Sequence, residues 1–260
     1  MHGLGNDFVI INQVDLPIDR DTHKLAMEIS DRNIGIGCDQ FIVYSREPDH
    51  YKMMIYNQDG SSAKMCGNAS RCLARLIHES CGDKNIIIKI LDRILTCKIL
   101  DNNYISVNLG SVSFDENWMP RPEKIYPIAE MYMIDLKEIL CVDVGNPHLV
   151  IFGNLSVQDK DGLGKKLQDR ALFNDGVNVN FATVRNEGIY LSVWERGVGF
   201  TLSCGSGACA SFAASVKLGF VNDKAKVIFK HGSLNMLEYK GDIIMSGPAT
   251  FISDGEFYYE

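Results

Sequence analysis

"CGNASRC" occupies residues 66–72 and "CGSGAC" residues 204–209. Both place a cysteine and a glycine ahead of what reads as a helix. After Cys66 the apolar positions Ala69, Cys72, Leu73, Leu76 and Ile77 form the i, i+3, i+4, i+7, i+8 stripe of a helix with one buried face. After Cys204 the run GSGACASFAASVKLG carries no charge before Lys217, so this helix is apolar all round and belongs inside its domain. Each cysteine thus stands at a helix N-terminus, where unsatisfied amides and the positive end of the dipole favour a thiolate and attract anions. Gly67 and Gly205 let the backbone come close to such an anion.

Other landmarks repeat with the cysteines. GNDFVII begins at 5 and GNPHLVI at 145, a shift of 140; DRNIGIGCDQ begins at 31 and DRALFNDGVN at 169, a shift of 138. At that same shift of 138, Asn57 answers to Glu195 and Cys66 to Cys204. Ordered landmarks at a nearly constant shift read as two copies of one α/β unit. Between them, SFDENWMPRPEKIYP carries Pro120, Pro122 and Pro127 and reads as a linker. Strand-like runs such as FVIIN, FIVYS, KMMIY, YISVNLGSVSF, HLVIF and LSVWE lie on both sides, with shorter helices expected near 21–30 and 158–168.

Composition bounds the chemistry. A chain of 260 residues with 46% hydrophobic content can bury two modest cores. A net charge of -7 offers no basic surface to a nucleic acid. The start, MHGLGNDFVIINQVD, has no signal-peptide pattern, and no apolar run approaches the ~18 residues of a membrane span, so the expectation is a cytoplasmic protein with neither a membrane nor a nucleic acid as partner. The eight cysteines are then reduced, and most are expected to be packing residues. A zinc site is disfavoured: at about 100° per residue, Cys204 and Cys209 lie roughly 140° apart around a helix, and Cys66 and Cys72 roughly 120° apart.

Two thiols facing one carbon from opposite sides of a shared cleft would suit inversion of a stereocentre, one thiolate removing a proton while a thiol delivers another. The residues then carry a resemblance. MHGLGNDF, DRNIGIGCDQ, YNQDGSSAKMCGN, GNPHLV, GVNVNF, ERGVGFTLSCGSGACA and SGPATF stand in the order found in the diaminopimelate epimerase family, which the chain resembles from end to end. The ERG segment with the following TLSCGSGAC is the most specific of these.

That resemblance implies an α/β fold of the α+β kind. Two pseudo-symmetric domains would each wrap a mixed or antiparallel sheet around a central helix, one half spanning 1–115 with a closing strand from 248–260, the other 128–247. It implies an isomerase that interconverts LL- and meso-diaminopimelate for lysine and peptidoglycan precursors, with no cofactor and no metal. Its partner is a small-molecule substrate, and a homodimer is among the assemblies it allows. Cys66 and Cys204 would be the catalytic thiols, with His148 and Glu195 in support. Gly67, Asn68, Gly205 and Ser206 would cradle the carboxylate beside the reacting carbon, and Arg196 would grip the distal carboxylate. Asn6, Gln40, Asn57, Asn146 and Asn178 would hold the rest of the substrate.

Two features depart from the family pattern. Ala69 stands where glycine is usual, which calls for ordinary helical angles there; the chain starts at MHGLGND, so the first strand should be short. The rival readings are a proline or hydroxyproline racemase of the same fold, a thiol redox protein, and a non-catalytic binding protein. The long ERG motif and the distal polar residues argue against the first. The absence of CxxC argues against the second, and the presence of both thiols against the third.

Overall fold

The computed structural model describes residues 1–17, 19–101 and 104–258. Two compact units divide the chain, one made of Met1–Leu109 and Ser246–Glu260, the other of Gly110–Met245.

The first unit is built on strands β1 (His2–Gly3), β2 (Asn6–Asn12), β3 (Gln40–Arg46), β4 (Tyr51–Asn57), β5 (Asn85–Ile90), β6 (Arg93–Ile99) and β7 (Tyr104–Asn108), hydrogen-bonded in that order. β2 and β3 are parallel, β3 and β4 antiparallel, β4 and β5 parallel. Helix α1 (Thr22–Ser30) begins at Asp21, whose side chain caps the His23 amide. Its Leu25, Ala26 and Ile29 pack with Phe41, Val43 and Tyr56. Because side chains alternate along a strand, Ile42, fully buried, takes the opposite face of β3 from Phe41 and Val43.

Helix α2 (Gly67–Cys81) packs against β1, β5, β6 and β7. The stripe is buried except at Leu76, which is half-buried: Ala69, Cys72 and Leu73 are fully shielded and Ile77 nearly so, and removing a leucine from water contributes about 2 kcal/mol. Gly82 ends the helix in the left-handed region at φ 80°. Arg71, also fully buried, donates from Nε to the Pro248 carbonyl at 3.2 Å, and His2 and Thr250 exchange two backbone hydrogen bonds, so residues after 246 complete this unit.

The second unit contains α3 (Pro122–Met131), β8 (Ile139–Asp143), β9 (Pro147–Phe152), α4 (Val157–Lys166), β10 (Asn178–Arg185), β11 (Gly188–Glu195), β12 (Gly199–Thr201), α5 (Gly205–Lys217), β13 (Lys224–Phe229) and β14 (Gly232–Tyr239). β15 (Asp242–Pro248) changes unit after Met245. The pairing repeats that of the first unit: β9 and β10 parallel, β10 and β11 antiparallel, β11 and β13 parallel, β13 and β14 antiparallel. α5 lies against β8, β9, β10, β11, β13 and β14, and its residues 207–215 are buried on every side.

Three expectations are corrected by the packing. The proline-rich stretch read as a linker contains α3, with Pro122 at the first turn and Pro127 inside. Ile125 and Ala129, one turn apart, join the cluster of Leu149, Ile151, Phe173 and Phe181, and that burial outweighs the helix-breaking cost of Pro127. The strand expected through YISVNLGSVSF stops at Asn108. Cys81 is an exposed thiol near the end of α2, not a packing residue, whereas Cys38, Cys72, Cys97 and Cys209 are buried. Burial pushes the thiols of Cys72, Cys97 and Cys141 up to about 12, which keeps them protonated.

Candidate active site

Each unit carries a polar cluster at the mouth of its central helix. In the first, Cys66 is the N-cap of α2: its backbone is extended (φ -151°, ψ 103°) and its Sγ accepts from the Ala69 amide at 3.4 Å. Ala69 is helical, as its methyl requires. Asn68 donates from Nδ2 to Asn6 Oδ1 at 3.1 Å, and the Cys66 sulfur lies 3.9 Å from that oxygen.

Asn6 is oriented by a group that the sequence motifs did not single out. Its Nδ2 donates to Asp39 Oδ2 at 2.8 Å. Asp39 is in turn paired at 2.8 Å with Arg32, which also grips both carboxylate oxygens of Asp7. Burial works against the Asp7 carboxylate, but hydrogen bonds from Arg32 and the Asp39 amide outweigh it and hold its pKa below the ordinary carboxylate value. Gln40 and Asn57, opposite each other on β3 and β4, join Nε2 to Oδ1 at 2.9 Å, and Asn57 passes the chain on to Ser61 at 3.0 Å.

In the second unit Cys204 caps α5 in the same way, with φ -135° and ψ 115° and Sγ accepting from the Gly207 amide at 3.4 Å. The Ser206 hydroxyl lies 3.4 Å from the same sulfur. Gly205 is buried in that first turn, as Gly67 is in α2.

Glu195 ends β11, and its Oε1 accepts from Thr201 at 2.6 Å. Arg196 is exposed, and Nη1 donates to the Asp175 carbonyl at 2.6 Å. Its stem runs so close to Gly176 that a Cβ there would come within 2.8 Å of Arg196 Cδ. Asn178 braces the loop around it, donating to the Pro147 carbonyl at 3.1 Å and accepting from the Arg196 amide at 3.0 Å.

His148 is fully buried on β9. Nδ1 lies 3.0 Å from Asn180 Nδ2 and Nε2 lies 3.2 Å from Asn146 Oδ1. Burial pushes its pKa down to about 4, so the ring is neutral at ordinary pH.

The sequence-expected residues divide between the two units: Asn6, Gln40, Asn57, Cys66, Gly67 and Asn68 lie in the first, where Asn6, Cys66 and Asn68 meet and Gln40 pairs with Asn57; Asn146, His148, Asn178, Glu195, Arg196, Cys204, Gly205 and Ser206 lie in the second, where Asn146 meets His148, Asn178 meets Arg196 and Cys204 meets Ser206. The residues missed were Asp39 with Arg32 and Asp7, and Asn180. Asn180 had a signal: in GVNVNF it follows Asn178 by two, which puts two polar side chains on one face of an otherwise buried strand.

Comparison with known proteins decides the family. The family model described as diaminopimelate epimerase matches residues 1–114 and 140–252. The chain belongs to the diaminopimelate epimerase family. The diaminopimelate epimerase of Rickettsia bellii (strain OSU 85-389) is 60% identical over 260 residues, covering 100% of this chain and 97% of that protein. That of Rickettsia prowazekii (strain Madrid E) is 58% identical over the same length, covering 96% of the relative.

Among solved structures, a phenazine biosynthesis protein of the PhzF family from Bacillus anthracis superimposes with a TM-score of 0.74 at 12% identity, covering 97% of this chain and 93% of that one. A predicted epimerase from Pseudomonas aeruginosa gives 0.70 at 14% identity, with 94% and 90% covered. These two share the fold of the epimerase family; the near relatives share its sequence throughout.

Proposed function

We propose that this chain is an isomerase that interconverts LL- and meso-diaminopimelate by proton transfer at the α-carbon between two thiols, without a cofactor. The observation that carries the reading is the pair of cysteine N-caps, each with a backbone amide donating to its sulfur, in a chain 60% identical over its full length to a diaminopimelate epimerase. One of Cys66 and Cys204 acts as thiolate and takes the α-proton, becoming a thiol; the other, as thiol, gives its proton to the opposite face and becomes the thiolate. The enzyme's proton count is unchanged, and the roles exchange for the reverse reaction.

The electron pair left on the α-carbon is delocalised into the neighbouring carboxylate. The helix-mouth amides at Gly67, Asn68, Gly205 and Ser206 receive that charge with donors already in place. Arg196 offers a guanidinium to the distal carboxylate, and Asn6, Gln40, Asn57, Asn146 and Asn178 hold the rest of the substrate's far end and hence its handedness. Glu195, held by Thr201, serves beside the reacting amino group. The reading places the enzyme in the cytoplasm, where its thiols stay reduced. Among the described residues no helix is long and apolar enough to cross a membrane.

Incubation with LL-diaminopimelate in deuterium oxide tests this. Deuterium should enter the α-carbon as the meso isomer accumulates, and Cys66→Ser or Cys204→Ser should each slow epimerisation by about 10²–10⁴-fold while leaving the thermal melt unchanged. Turnover of proline in place of diaminopimelate, or full activity in either serine variant, would overturn it.

A further inference from the structure

Asn180 touches neither thiol in any role assigned above, yet it is fully buried and tightly held. Its Nδ2 lies 3.2 Å from the Leu149 carbonyl and 3.3 Å from the Asn178 carbonyl, groups that can only accept. The atom facing them is therefore the nitrogen, since the amide oxygen there would meet two carbonyl oxygens. The same nitrogen is closest to His148 Nδ1, at 3.0 Å, so Nδ1 must present its lone pair. A neutral imidazole carries a single N–H, which falls to Nε2 and donates to Asn146 Oδ1 at 3.2 Å. With its oxygen engaged, Asn146 has its NH₂ left to offer.

We propose that Asn180 is a positioning residue: it fixes His148 as the Nε2–H tautomer and, through that ring, turns the Asn146 amide so that nitrogen, not oxygen, is the group presented to an anionic part of the substrate. The fold itself does not require this pair. At the equivalent register of the first unit, Phe8 pairs with Gln40 as His148 pairs with Asn178, and Ile42 stands where Asn180 stands. Phe8 and Ile42 are buried and apolar, so the same parallel strand pair is built without polar groups. Buried polar groups that replace apolar ones need partners: Asn180 Nδ2 finds three acceptors here, whereas its buried Oδ1 makes no hydrogen bond, so the amide is held through its nitrogen. Asn180 Oδ1 faces the first turn of α5, where a Cβ on Gly207 would come within 2.6 Å of it. Asn180 thus touches both the histidine and the turn capped by Cys204.

The part concerning Asn146 rests on the function proposed above; the tautomer does not. Full-length protein labelled with ¹⁵N-histidine contains six histidines, and the His148 signals are those lost in His148→Gln. The expected spectrum at neutral pH is an unprotonated Nδ1 and a protonated Nε2. Asn180→Leu, of similar volume, should mix the two tautomers and raise KM about tenfold, the worth of one oriented hydrogen bond, with kcat changed much less. A wild-type His148 that is protonated on Nδ1 overturns the proposal even if Asn180→Leu does not fold. So does a folded Asn180→Leu with unchanged tautomer and KM. The spectrum is recorded without substrate, so a failure of the diaminopimelate assay with the Nε2–H signal in place counts against the substrate reading alone.

Discussion

The two helix-mouth clusters are built by one topology and held by different physics. Each has a parallel strand pair, an antiparallel return and a helix whose first residue follows a capping cysteine. Each also turns an asparagine by a second residue. In the first unit Asn6 is held by Asp39, inside a charged network with Arg32 and Asp7 that reaches solvent; in the second, Asn146 is held by His148, which Asn180 holds in turn, both neutral and fully buried. An ionic brace needs water to keep its charges cheap, whereas a neutral brace can sit in the core if every donor finds an acceptor. The repeat therefore keeps a held asparagine in each unit, but neither what holds it nor by which end: Asn6 is held through its nitrogen and Asn146 through its oxygen.

Acid should separate the two most strongly. The His148 pKa is pushed down to about 4, against 6.5 for an unperturbed ring. The unfolded chain thus binds a proton that the folded chain refuses, and the contribution of neutral His148 is complete above about pH 6.5. It is lost as pH falls toward 4, a difference of about 3 kcal/mol. Asp143 and Arg196 are the charged groups that act on the ring, in opposite directions. Urea titrations from pH 7 to pH 4 should show this slope in the wild type and a flatter one in His148→Gln. Equal slopes would mean that the buried histidine is not what makes the second unit acid-sensitive.

The first turn of each helix offers a second way to break the comparison. Ala69 and Gly207 are equivalent at the shift of 138, and each amide donates to its cysteine. Gly207 faces Asn180, whose oxygen cannot retreat because its nitrogen is held on the other side; Ala69 lies in the unit that has Ile42 instead. Gly207→Ala should cost about 1–3 kcal/mol through overpacking, even though alanine is the better helix former. Ala69→Gly should cost about 1–2 kcal/mol, from a lost buried methyl and helix propensity. A stabilised Gly207→Ala would show that Asn180 moves freely and that the neutral brace is slack.

What could be read from the chain follows the same division between local and distant causes. The cysteine caps were legible because a cap and its helix stripe lie within a dozen residues, and the doubled unit because its landmarks keep their spacing. α3 was not, since Pro120, Pro122 and Pro127 speak locally for a linker and only the distant Leu149, Ile151 and Phe173 make helix the better state. Asp39 was hidden within DRNIGIGCDQ because nothing in that segment tells that its partner is Asn6, 33 residues earlier. Asn180 was within reach of a period-two reading of β10, but its meaning depends on His148, 32 residues away.

The smallest effect, and the one that tests the ionic side, is expected at Arg32. Its side chain is 51% exposed, with Asp39 at 41% and Asp7 at 23%, so water screens the network and most of the attraction is offset by solvation. Arg32→Ala should therefore destabilise by less than about 1 kcal/mol, and the cost should shrink further in 1 M salt, where charges a few ångströms apart are already screened. Asn6 keeps its bond to Asp39 in this variant, so KM should rise only a few-fold. Asp39→Ala removes the acceptor that orients Asn6 and should raise KM more than Arg32→Ala does, with little further loss of stability. Should Arg32→Ala instead cost several kcal/mol at every salt concentration, the network would be acting as a buried brace, and the contrast between the two units would disappear.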